Sequence, residues 1–112
     1  MIIAISAQKP EIDSPIDVRF GRAAYYIMID LETGNWEAFA NPAVSQSGGA
    51  GVAAAQFVID KKAEVAISGD FGPNANQALR AAGVKMHTFT SGIPSVNAAL
   101  DLYKQGSLPR FD

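Results

Sequence analysis

From Gly51 to Tyr103 the sequence alternates between two spacings: apolar residues three and four apart, then short unbroken apolar runs. That alternation leaves few possible folds. The run Glu64 to Gly69 (EVAISG) is almost wholly apolar, as strands covered on both faces are, and Val84 to Phe89 is a further strand. The helical stretches between them predict crossovers that return each strand parallel to the last, with a right hand. A first helix is expected up to about Lys62, with Val52, Ala55 and Ile59 on its inward face. Pro73 suits the first turn of a second helix, with Ala75, Ala78, Leu79 and Ala82 at helical spacing and Gly83 just past its end. Ser95 is a suitable N-cap for a third, whose Val96, Ala99, Leu100 and Tyr103 face the sheet.

Upstream, the pattern has period two or is continuous. Ile2 to Ser6 reads as a buried strand, followed by a long loop from Ala7 to Gly21 with Pro10 and Pro15. Ala24 to Leu31 and Trp36 to Ala40 are two strands joined by the turn Glu32-Thr33-Gly34-Asn35, and so form a hairpin. Asn41 to Gly51 is a Ser- and Gly-rich loop. The order is βββαβαβα, in one α/β domain spanning residues 1–112. The most economical layout is a three-layer, ribonuclease-H-like domain with a mixed five-stranded sheet of order 3-2-1-4-5 and strand 2 antiparallel. Ligands of open α/β sheets bind beyond the carboxyl ends of the strands, where the connections diverge. Ser6 to Arg22, Asn41 to Gly51, Gly69 to Pro73 and His87 to Gly92 are expected to converge there.

Composition excludes several chemistries. The net charge is -2 and the nine basic residues are scattered, so no basic field exists to hold nucleic acid. Cysteine is absent, which removes disulfides, thiolate nucleophiles and thiolate metal ligands together. No apolar run approaches the ~20 residues of a spanning helix, so no membrane partner is expected. The expected compartment is the cytoplasm, which agrees with the lack of cysteine and of a basic, apolar leader.

The candidate site residues each carry two readings. Ribonuclease-H-like nucleases gather carboxylates around two metal ions, but strand 1 has no acid and Asp30 lies toward the hairpin end; Asp30 and Asp70 read as solvated turn acids. Gly49-Ala50-Gly51-Val52-Ala53-Ala54 fits G-x-G-x-x-G/A, with Asp70 at the distance of a ribose-binding acid. Asn41 to Gly48 separates it from the preceding strand, however, and no Walker A lysine follows. These glycines either permit close packing or leave N–H groups at a helix start free for an anion. Arg19-Phe20-Gly21-Arg22 is either a solvated turn or an anion clamp with an aromatic wall. His87, the only histidine, is either a half-buried packing residue or a metal ligand that needs others from the cargo or a second subunit.

Four blocks carry a family resemblance. They are Val18-Arg19-Phe20-Gly21-Arg22 running into a strand that ends in Asp30, then Asn41 with Gly48-Gly49-Ala50-Gly51. Ile67-Ser68-Gly69-Asp70-Phe71-Gly72-Pro73-Asn74-Ala75 with Ala82-Gly83-Val84 is the third, and Val96 to Leu108 the last. In order and spacing the chain resembles the dinitrogenase iron–molybdenum cofactor biosynthesis proteins, which include NifX-like carriers and a C-terminal domain of NifB-type proteins. The resemblance implies a ribonuclease-H-like fold without nuclease chemistry. It also implies a non-catalytic carrier for an iron–sulfur or iron–molybdenum cofactor precursor, held loosely and passed to cofactor-assembly or acceptor proteins. With no thiolates, such an anionic cargo would rest on Arg19, Phe20, Gly21, Arg22, Gly49, Gly51, Asp70 and His87. Two other functions fit the residues: a small anion- or nucleotide-binding regulator, and an interaction domain docking through the Trp36 edge strand.

Overall fold

The structure, a computed structural model, describes residues 1–111. Strands β1 (Ile2–Ala7), β2 (Tyr25–Asp30) and β3 (Trp36–Ala40) are followed by α1 (Ala50–Asp60), β4 (Ala63–Ile67), α2 (Gly72–Ala81), β5 (Lys85–His87) and α3 (Val96–Lys104). The sheet order is β3-β2-β1-β4-β5. β2 runs antiparallel to both β1 and β3, while β1, β4 and β5 are mutually parallel. The expected architecture is the observed one.

Side-chain alternation along each strand sorts the core into two layers. Ile3, Ile5, Ile27, Ile29, Val65 and Ile67 face α3, which contributes Val96, Ala99 and Leu100. Ala4, Tyr26, Met28, Ala66 and Met86 point the other way, toward α1 and α2. Ser95 caps α3 as expected: its side chain accepts from Ala98 N at 3.1 Å. Lys62, not a glycine, takes the left-handed conformation that turns the chain from α1 into β4.

Three local expectations are corrected. α1 buries Ala50, Ala54, Ala55 and Val58, and Val52 is 49 % exposed. Ala55 and Ile59 do meet the core, with Phe57 and Val58, so only Val52 of the expected face turns outward. β4 and β5 are also shorter than the strands expected over Glu64 to Gly69 and Val84 to Phe89. Past His87, the chain turns to a different partner: Thr88 N donates to Pro109 O, and Phe111 N donates to Met86 O. The tail thus lies along the outer edge of β5, with Phe111 stacked edge-on against Phe71. Finally, the solvated-turn reading of Arg19-Phe20-Gly21-Arg22 fails at Phe20, which is fully buried, as is Ile16 upstream.

Candidate functional site

β1 and β4 are neighbours whose connections leave in opposite directions, which opens a crevice at their carboxyl ends. The first loop fills that crevice. Asp17 N donates to Ser6 O, Asp70 N donates to Val18 O at 2.7 Å, and Phe20 N donates to Asp70 O at 2.9 Å. Beneath it, Ser6 and Ser68 are fully buried. Ser6 Oγ donates to Asp17 O at 2.6 Å and shares a 2.8 Å hydrogen bond with Ser68 Oγ. Among the described residues no buried side-chain N or O lacks a hydrogen-bond partner, as a dry site requires. Gly69 permits the fit. A Cβ there would sit 2.9 Å from Val18 O and 3.0 Å from Val18 Cα. Gly69→Ala therefore has to move backbone, and is expected to cost at least ~1 kcal/mol in a denaturant titration.

Phe20 is part of the floor and not an exposed wall. Its ring centroid lies 5.1 Å from both Tyr26 and Phe71, and none of its surface is accessible. The Tyr26 hydroxyl donates to Phe20 O. Burial first, and the Asp17 carboxylate second, hold that hydroxyl well above the ordinary tyrosine range, so it remains a donor. The aromatic-wall reading of Phe20 is thereby replaced by a core role.

The glycines join three segments. A Cβ on Gly21 would meet Gly51 Cα at 3.1 Å, and one on Gly51 would meet Ala75 N at 3.3 Å. The first loop, the start of α1 and the start of α2 thus touch backbone to backbone. The close-packing reading of Gly51 holds, although its neighbour is α2 rather than the sheet. Gly49 sits at φ 72° before α1, where no side chain caps the helix. The N–H groups of that first turn have no intrahelical partner, although Ala50 is buried and Gly51 packs against α2.

Each charged candidate has a definite setting. Arg22 Nη1 donates to Val44 O at 3.2 Å and to Gln46 O, so it tethers the loop ahead of α1. Arg19 is exposed, and its guanidinium has no hydrogen-bond or ion-pair partner among the described residues. Asp70 Oδ1 accepts from Gly72 N at 3.2 Å and shapes the turn into α2. His87 lies apart from all of these. It projects toward α3, its ring 5.2 Å from Tyr103 and its Nδ1 3.1 Å from Leu108 O. The structure gathers Arg19, Gly21, Arg22, Gly49, Gly51 and Asp70 around one rim and leaves His87 on the other face.

Two residues hold the rim together: Asn41, which the sequence placed in a family block without a role, and Asp17, which it passed over. Asn41 is 3 % exposed; its Nδ2 donates to Gly21 O and Ala23 O, and its Oδ1 accepts from Ala43 N. Asp17 accepts from Arg19 N and Ala24 N through its two carboxylate oxygens. A polar residue in a loop looks the same in sequence whether it is solvated or braces the backbone. The rim also carries exposed apolar groups: Val18 is 38 %, Val44 45 % and Val52 49 % exposed. Among the described residues no three His, Cys, Asp or Glu side chains come together to hold a metal ion. The donors present are N–H groups and guanidinium, which suit an anion bringing its own metal ligands.

A family model described as dinitrogenase iron-molybdenum cofactor matches residues 1–106. The chain belongs to that family. Among solved structures it is similar to the apo form of the orange protein from Desulfovibrio gigas, at 37 % identity and a TM-score of 0.91, covering 97 % of this chain and 91 % of that one. It is also similar to a Thermotoga protein provisionally described as NifB, at 33 % identity and a TM-score of 0.85 with the same coverage. A Methanocaldococcus jannaschii protein provisionally described as a dinitrogenase shares the fold at 14 % identity and a TM-score of 0.68, covering 100 % of this chain and 95 % of that one. No curated protein matches the sequence. No helix among the described residues is long and apolar enough to cross a membrane.

Proposed function

We propose that this family member is a non-catalytic carrier that holds an anionic iron–sulfur or iron–molybdenum cofactor precursor at the rim and passes it to an assembly or acceptor protein. The observation that carries the reading is the rim itself. It combines an uncapped helix start, an exposed Arg19 whose guanidinium has no partner among the described residues, and exposed valines, on segments that meet backbone to backbone. Backbone N–H groups at a helix start and a guanidinium attract negative charge, while the valines cover the apolar faces of a sulfide-rich cluster. Among the described residues the rim carries no thiolate and no imidazole, and its carboxylates, Asp17 and Asp70, accept backbone N–H groups, so the cargo is held through its negative charge. That is the behaviour a transfer protein needs. Family membership and the likeness to an apo-form protein support the same reading.

The test is an anaerobic titration with a synthetic iron–sulfur cluster, followed by visible absorbance and co-elution on gel filtration. Saturable binding is expected, about tenfold weaker in Arg19→Ala through loss of one charge-assisted contact. His87→Ala is expected to bind as wild type does, because His87 faces α3. Binding lost in His87→Ala and kept in Arg19→Ala would move the site to the other face. Tighter binding of ATP than of the cluster at the same rim would favour the nucleotide-binding regulator. Substituting Gly51 cannot separate these readings, since any side chain there presses on Ala75.

A further inference from the structure

The two edges of the sheet are finished differently. The β5 edge is covered by the tail, through Phe111 N to Met86 O and Thr88 N to Pro109 O. Among the described residues the β3 edge has no neighbouring strand in the sheet. Asn41 N donates to Ala24 O and Asn35 O accepts from Asp30 N, so the odd-numbered residues of β3 turn their N–H and C=O groups toward β2. Trp36, Ala38 and Ala40 therefore turn theirs outward. Within Trp36–Ala40 there is no lysine, proline or bulge of the kind that protects such an edge from pairing.

We infer that this edge pairs antiparallel with β3 of a second copy, across a two-fold axis centred on Ala38. Three features of the strand are complementary to themselves in that register. Ala38 meets its own counterpart as a hydrogen-bonded pair, and Trp36 and Ala40 exchange the flanking pairs. A large ring, 43 % exposed in the single chain, then lies over the small Ala40 of the second copy. On the α1 side, Glu37 falls opposite Phe39 of the second copy, and Lys61 Nζ stands 4.3 Å above that ring. Glu37 and Lys61 are exposed, and neither has an ion-pair partner among the described residues. The two-fold axis brings them together twice, since directly opposed side chains in a sheet lie within reach of each other. Pro42, the next residue in outward phase, has no N–H and ends the pairing. The interface shares no residue with the rim, so the two proposals stand or fall separately.

Sedimentation equilibrium over a concentration series, with the whole chain, tests the pairing. A reversible dimer is expected, absent in Ala38→Pro, which removes an outward N–H without touching the β2 ladder. Glu37→Lys and Lys61→Glu, each setting two like-charge contacts, are expected to weaken the dimer on the order of tenfold. Together in one chain the two reversals restore it, an outcome that misfolding cannot mimic. A monomer at every concentration overturns the inference. So does a dimer whose constant ignores Ala38→Pro and both single reversals.

Discussion

Phe20→Ala is expected to lower the free energy of unfolding by about 3–5 kcal/mol, among the largest losses a single truncation here can produce. The ring is completely buried and packs on Tyr26 and Phe71, which in turn touch Phe57 and Phe111. Truncation empties the middle of this aromatic series, and the close backbone contacts of Gly21 and Gly69 on either side limit collapse into the space. Urea unfolding followed by circular dichroism reads the shift in midpoint. An exposed wall residue would behave differently, since surface substitutions stay within about 0.5 kcal/mol. A small change would therefore return Phe20 to the surface and undo the description of the floor.

Asn41→Ala carries the second large effect, about 2–3 kcal/mol, because it leaves buried backbone groups without partners. The carbonyls of Gly21 and Ala23 and the N–H of Ala43 all depend on this one side chain. Its loss loosens the loop ahead of α1 as well as the end of the first loop. Cluster binding is expected to weaken along with stability, which a titration well below the unfolding midpoint separates from simple unfolding. Unchanged stability would mean that water replaces the amide and that Asn41 is not the brace of the rim.

The strands and their order were legible because β-branched runs and the helical spacing from Gly51 onward admit one economical topology. What failed was orientation inside loops and on an alanine-rich helix. Phe20 lies in a segment with no period, so nothing in the sequence told an inward ring from an outward one. Val52 looked like the natural core residue of α1, but the helix approaches α2 through Gly51 and turns Val52 outward. Tail pairing on β5 is a long-range contact with no local signature. His87 was closer to being readable. Alternation sets it opposite Met86, but which helix covers which face is decided only when the crossovers are fixed. Close packing, one of the two readings left open for the glycines, applies to Gly51 and not to Gly49, and the partner of Gly51 was the part that sequence could not name.

Amide chemical-shift mapping of the wild-type protein, titrated anaerobically with a synthetic iron–sulfur cluster, tests the central claim most directly. The carrier reading predicts saturable shifts or broadening concentrated at Val18 to Arg22, Ser47 to Val52 and Gly69 to Gly72. Perturbation confined to His87, Tyr103 and Leu108, or no perturbation of a folded protein at all, would contradict it.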